Sequence, residues 1–275
     1  MAKRYYNLEK ETKDYLKACS DRNITPRISN KAINDYVLKQ KNNQWIPTAS
    51  QLIEYALSPV LWLDSSISFS YRGAGTVWGN LIDNTLNASL PASALFTSLK
   101  RSGAVFLPLG AAGTTPWTTL GLTNIFTLDF WITVSEITGS FSTGLIYREV
   151  YLTDGFRCGV NNPSKRINFA SGQSGGNVSL NSGTDSIILG TPVNITITYN
   201  PNTLVASIYK NGVLVQTQTS ATLKAPSTTA SATINTTLDS TSSSLQFHNL
   251  KIYNRALTQT EITESYNTLS SRFFS

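Results

Sequence analysis

Between Val193 and Thr219 the apolar and polar positions alternate with the period of two that marks strands with one buried face. Val193, Ile195, Ile197 and Tyr199 are separated by Asn194, Thr196 and Thr198. Asn200-Pro201-Asn202-Thr203 breaks the run, and Leu204 to Lys210 resumes it. Asn211-Gly212 then precedes a last strand carrying Val213, Val215 and Thr217. Asn-Gly is a strong hairpin signal, because both central residues of a two-residue loop need positive φ. The stretch predicts a three-stranded antiparallel meander with residues 211–212 at a hairpin tip.

Elsewhere the period shifts to that of helices. Thr258 and Glu261 form a capping box, flanked by Leu257 and Ile262 at the two staple positions. Ile262, Tyr266 and Leu269 then predict a short amphipathic helix. In residues 1–57, Leu8, Tyr15, Leu16 and Cys19 lie near helical spacing. Ser29 can cap a second helix striped by Ala32, Ile33, Tyr36 and Val37, ending at Asn42-Asn43. After Trp45-Ile46-Pro47, Thr48 and Gln51 offer a capping box for a third, with Leu52, Ile53, Ala56 and Leu57. Three short helices of this size bury little apolar surface unless docked on something. Residues 226–244 are mostly Ser, Thr, Ala and Asn, and predict an exposed loop or a weak edge strand. Residues 172–183, rich in Gly, Ser and Asn, read as a second connection.

Composition narrows the class. The 275 residues have room for one large sandwich and a small extra module, and only 14% are charged. The net charge of +6 sits mainly at the front: positions 1–57 carry ten Lys/Arg against six Asp/Glu, and positions 58–275 twelve against ten. That is no basic, aromatic-lined face for nucleic acid. No stretch is long and apolar enough to span a bilayer, and the first residues lack the apolar region of a signal peptide. Cys19 and Cys158 fall in different predicted modules and read as isolated buried residues rather than a disulfide.

Four blocks resemble the laminin-G-like branch of the concanavalin A-like lectin/glucanase jelly rolls. They are Val60-Leu61-Trp62-Leu63-Asp64 with Trp78 and Asp83, Phe126-Thr127-Leu128-Asp129-Phe130-Trp131, the 193–219 meander, and Phe247 to Leu257 with its "IYNRAL" exit. The resemblance implies a mainly β, antiparallel sandwich over 58–275, preceded by a helical segment at 1–57. The stretch from Ser29 to Asp64 resembles the helical preface of laminin-G-like proteins in tailed-phage genomes. This implies a virion surface protein, a capsid decoration or tail-associated appendage, made in the host cytoplasm and needing no export signal. Its partners would be other virion proteins, further copies of itself and host-surface polysaccharide. In that scheme Tyr36, Val37, Trp45 and Leu52 bury against the particle.

The chemistry in the chain argues against catalysis. Laminarinase-type relatives carry two carboxylates on one strand face, and retaining hydrolysis needs them about 5–5.5 Å apart. No segment has that pattern, and Glu149 and Asp154, five apart, would point to opposite faces of a strand. His248 is the only histidine, which excludes a multi-histidine zinc site, and it reads as a sheet residue facing a neighbouring strand. The glycines at 73, 75, 110 and 113 lack the context of a phosphate loop and read as turn residues. Calcium is the cofactor the resemblance brings, with Asp154, Asp185, Asn161, Asn162 and Asn181 in nearby loops and no ligand set that aligns. Trp117, Tyr147, Tyr151 and Phe156 are candidate sugar-stacking rings that could equally be core. The chain therefore reads as a non-enzymatic, lectin-like virion protein; the alternatives are a cell-surface carbohydrate-binding or adhesion module and a polysaccharide depolymerase.

Overall fold

The alternating run of 193–219 folds as the predicted meander at one side of a two-sheet antiparallel sandwich. The computed structural model describes residues 8–21, 26–28, 32–33, 36, 47–98, 103–120, 122, 125–148, 155–173, 176–219, 231–238 and 240–274. Side chains at 8, 9, 11, 172, 173 and 176–178 lie outside that description, as do Ser29, Val37, Asn42, Asn43, Trp45, Glu149, Tyr151 and Asp154.

The first sheet runs in the order β14 (Val213–Thr219), β13 (Val205–Lys210), β12 (Pro192–Asn200), β7 (Phe126–Thr138), β16 (Ser242–Tyr253), β5 (Gly103–Leu107) and β4 (Leu95–Ser98). A short strand, β1 (Leu61–Asp64), also pairs with β16. The second sheet runs β11 (Gly176–Asn181), β10 (Arg166–Gln173), β9 (Phe156–Asn161), β8 (Ser142–Arg148), β15 (Ala232–Thr236), β6 (Gly113–Thr115), β3 (Ala88–Ser89) and β2 (Val77–Trp78). Inward-facing Phe126, Leu128, Phe130 and Ile132 of β7 meet Phe156, Cys158, Val160 and Phe169 of the second sheet in one core. This is the jelly-roll class expected.

Strand β7 is buried on both faces because helices cover the outside of the first sheet. Helix α3 (Gln259–Ser270) starts at the Thr258–Glu261 capping box, and Leu257 and Ile262 share a cluster with Leu57, Tyr209 and Tyr253. Trp131 on the outer face is sandwiched by Phe273 and Tyr266, with ring centroids 4.3 and 5.5 Å away. At the front, α1 (Leu8–Asp21), helical residues 32, 33 and 36, and α2 (Ala49–Ala56) bury Tyr15, Cys19, Ile33, Tyr36, Leu52 and Ile53 together. The Thr48–Gln51 capping box starts α2 as expected.

Two connections proved to be strands. Within 172–183, residues 172–173 and 176–181 belong to β10 and β11, which pair antiparallel. Within 226–244, β15 lies inside the second sheet between β8 and β6, and β16 already begins at Ser242. Residues 226–244 hold few large apolar side chains beyond Ile234, and buried polar groups there bond one another. Ser243 donates to Asn235 Oδ1 at 2.7 Å and lies 3.0 Å from Thr143 Oγ1, so the interior there is satisfied by hydrogen bonds rather than by bulk.

Candidate functional site

A cleft of about 450 Å³ opens beside β2, lined by the 69–87 segment that joins β1 to β3. Its walls are held rigidly. Asn80 is buried, and its Oδ1 accepts from the backbone amides of Trp62 and Ile82, both at 3.0 Å. Asn87 Oδ1 accepts from the Asn80 amide at 2.9 Å, while its own amide donates to Asn84 O at 2.8 Å. Ser70 Oγ donates to Gly79 O at 2.6 Å and accepts from the Asp64 amide at 3.0 Å. A Cβ at Gly79 would sit 3.1 Å from Ser70 O, so glycine is what lets these two segments close. Behind the cleft, Trp62, Ile67 and Leu81 pack together with Tyr55 of α2, so the helical segment supports the wall.

The cleft continues into an open sheet face. Directly paired residues in antiparallel strands share a face. One such row runs Val77, Ser89, Thr114, Thr233, Tyr147, Arg157 and Ala170, crossing from β2 to β10. Val77 is 58% exposed and lines the cleft as well. Ser89 and Thr114 are exposed, Thr233 and Tyr147 half-buried, and Arg157 and Ala170 buried. The accessible part of the row is therefore hydroxyl-rich and uncharged.

Two carboxylates lie fully buried elsewhere. Glu54 and Asp129 are sealed around Lys251, whose ammonium contacts both and donates to Ser265 Oγ at 2.6 Å. Asp129 also accepts from Asn194 at 2.7 Å, Thr196 at 3.0 Å and Ser265 at 2.8 Å. Burial pushes Glu54 up, with Lys251 only partly offsetting it. Burial also pushes Asp129 up, but Lys251, Asn194 and Ser265 outweigh it and hold this carboxyl below its ordinary value. Burial disfavours the charged Lys251, yet Asp129 and Glu54 together raise its pKa. These groups are fully buried and reach no substrate; they join the helices to the sheet. His248 faces the neighbouring strand as expected. Its Nδ1 lies 3.4 Å from Gly103 O, which can only accept, so Nε2 takes the proton of Thr133 Oγ1 at 2.9 Å.

The sequence-predicted residues scatter. Tyr36 and Leu52, expected to bury against a particle, are 3% and 0% exposed inside the chain's own helical cluster, so neither offers a docking surface. Trp117 and Phe156 are core rings, 5.1 Å apart, whereas Tyr147 lies on the open face. The 161–165 turn does not fit a calcium ion. Asn162 Oδ1 already receives the Lys165 ammonium, and Asn161 Oδ1 receives Ser164 Oγ at 2.8 Å. Among the described residues, no group of three His, Cys, Asp or Glu side chains could hold a metal. Sequence reasoning missed the cleft: Gly73-Ala74-Gly75 and the Asn80, Asn84, Asn87 series were its only signals.

Comparison with known proteins agrees with the architecture. The sequence profile described as the concanavalin A-like lectin/glucanases superfamily matches residues 110–263. No curated protein matches the sequence. Among solved structures, the binding domain of Paraclostridial Mosquitocidal Protein 1 superposes with a TM-score of 0.61 at 14% identity, covering 76% of this chain and 52% of that one. The botulinum neurotoxin serotype G binding domain gives 0.58 at 16% identity, covering 78% and 52%. A Trypanosoma rangeli sialidase gives 0.54 at 15% identity, covering 78% and 33%. The chain thus spans about half of the toxin binding domains and a third of the sialidase. These likenesses are of fold.

Proposed function

The chain belongs to the concanavalin A-like lectin/glucanases superfamily, and from that premise we propose that it is a non-enzymatic phage virion protein whose lectin-like sandwich contacts host-surface polysaccharide. The observation that carries the glycan reading is the cleft with hydrogen-bonded amide walls running into the open face of the second sheet. Rigid amide walls beside a row of hydroxyls suit a polyhydroxylated chain, which is recognised through many shared hydrogen bonds. The non-enzymatic part rests on the cleft lining, in which no described residue is a carboxylate that could act as acid, base or nucleophile. The virion part rests on the resemblance of residues 29–64 to phage helical prefaces. Attachment would then use the outward surface of the helical segment, such as exposed Lys13, Leu16 and Lys17 of α1, since Tyr36 and Leu52 are spent internally. A capsid decoration and a tail-associated appendage both fit this arrangement.

Glycan-array binding of the full chain, reducing-end assays on the glycans bound, and mass spectrometry of purified particles test the three parts separately. Binding without turnover, and the chain recovered with particles, is the expected result. Turnover would make it a depolymerase. Recovery from cell envelopes and not from particles would make it an adhesion module.

A further inference from the structure

Among the described residues, the cleft's lining carries one charged side chain, Arg72, and no acidic one. Arg72 is exposed at the lip and makes no hydrogen bond or ion pair among the described residues. Other guanidinium groups of this protein are matched to carboxylates: Arg255 to Glu261 at 2.8 Å and Arg272 to Asp64 at 2.8 Å. The polar groups of Asn80, Asn87 and Ser70 are committed to the walls, as described above. The side chains of Thr76 and Asn84, both exposed, are not: among the described residues only their backbone carbonyls are engaged, by Leu90 N and the Asn87 amide. Three ligand-directed groups remain, namely a guanidinium, a hydroxyl and a primary amide. The half-buried ring of Phe69 and the side chain of Val77 supply apolar surface beside them.

An unneutralised guanidinium in a cleft free of carboxylates attracts an anion, and its planar fork matches a carboxylate with two parallel hydrogen bonds. A hydroxyl and an amide at the same lip offer both donors and acceptors to vicinal hydroxyls. The volume, at the lower end of ligand clefts, has room for about one or two sugar rings. We propose that this cleft binds an acidic sugar, with the sugar carboxylate on Arg72, ring hydroxyls on Thr76 and Asn84, and the rest of the polysaccharide leaving past Val77 along Ser89 and Thr114. This rests on the glycan reading above and adds to it the class of sugar and the residue that selects it.

The test is titration calorimetry of the full chain with polyglucuronate and polysialate oligosaccharides, with the carboxyl-reduced polyglucuronate, with a sulfated neutral glucan, and with an unmodified neutral glucan. The wild type should prefer the carboxylated sugars over the carboxyl-reduced form by about tenfold or more. Arg72→Ala should lose that preference without a change in thermal unfolding, since the side chain is exposed and unbonded. Arg72→Lys should restore it only in part, and Asn84→Ala should weaken carboxylated sugars while leaving Arg72 in place. Equal binding of the carboxylated and reduced sugars, or a preference that survives Arg72→Ala, would overturn the assignment while leaving the glycan reading intact. Preference for the sulfated glucan over both carboxylated sugars would overturn the carboxylate as the recognised group. No binding of any glycan would remove both.

Discussion

Glu54 on α2 and Lys251 on β16 form an ion pair from which water is fully excluded, although 196 residues of chain separate them from direct contact in sequence. Asp129 of β7 takes the same ammonium at 2.8 Å, and Ser265 of α3 closes the group. The helical segment, the sheet and the C-terminal helix thus meet on one buried charge. Removing that charge leaves two buried carboxylates facing each other. Lys251→Met should therefore cost about 3–5 kcal/mol. Glu54→Gln should cost clearly less, because Asp129 remains as counter-ion. Urea unfolding of both variants checks the order; equal losses would mean that Asp129 does not share the ammonium.

Gly212 sits at φ +76°, and an added Cβ would lie 3.0 Å from Tyr266 Cβ. Gly212→Val meets both a left-handed backbone and the side of α3. It should lose about 2–4 kcal/mol in thermal or urea unfolding. Gly190, at φ +75° with open space around its Cβ position, separates the two effects: Gly190→Ala should lose only the backbone part, about 1–2 kcal/mol.

His248 and Glu261 contribute to the acid response of the fold in different windows. Burial lowers the His248 pKa from 6.5 to about 4. Because the folded value is depressed, the unfolded chain binds the extra proton first, and stability falls as pH drops from about 6.5 to 4. Burial pushes Glu261 up, but hydrogen bonds from Arg255 and Thr258 outweigh it and take its pKa from 4.5 down to about 2. Its contribution is complete above pH 4.5 and is lost as pH falls towards 2. His248→Gln should flatten the stability curve between pH 6.5 and 4 only, and Glu261→Gln between 4.5 and 2 only. Chemical denaturation across pH reads both.

Much of the fold is written in the period of the sequence. Alternation in 193–219 and the two capping boxes became β12–β14, α2 and α3, because each depends on neighbours in the chain. What escaped depends on distant partners. β15 lies between two strands although its segment is mostly Ser, Thr and Ala, since Ser243, Thr143 and Asn235 satisfy one another inside the sandwich. Tyr36 and Leu52 were legible as an apolar stripe, but a stripe does not say whether its cover is another protein or the same chain. The cleft was the least legible part. It is made of side chains that hold backbone, such as Asn80 and Asn87, and only the closed loop leaves Arg72, Thr76 and Asn84 at its lip.

Because Leu57 packs with Tyr209, Tyr253, Leu257 and Ile262, and Glu54 pairs with Lys251, the sandwich is not indifferent to the front helices. Residues 58–275 alone should keep β-type circular dichroism but unfold at lower urea than the full chain, and should bind a hydrophobic dye more strongly. Equal stability of the two would mean that the first 57 residues are an independent appendage.

The most direct measurement mixes the full chain with size-defined bacterial surface polysaccharides, follows the complex by multi-angle light scattering, then strips the protein and measures polysaccharide chain length again. A saturable complex with an acidic polysaccharide and an unchanged length after prolonged incubation are the expected results. Shortened chains would contradict the non-enzymatic part, and failure to form a complex with any polysaccharide would contradict the lectin-like role itself.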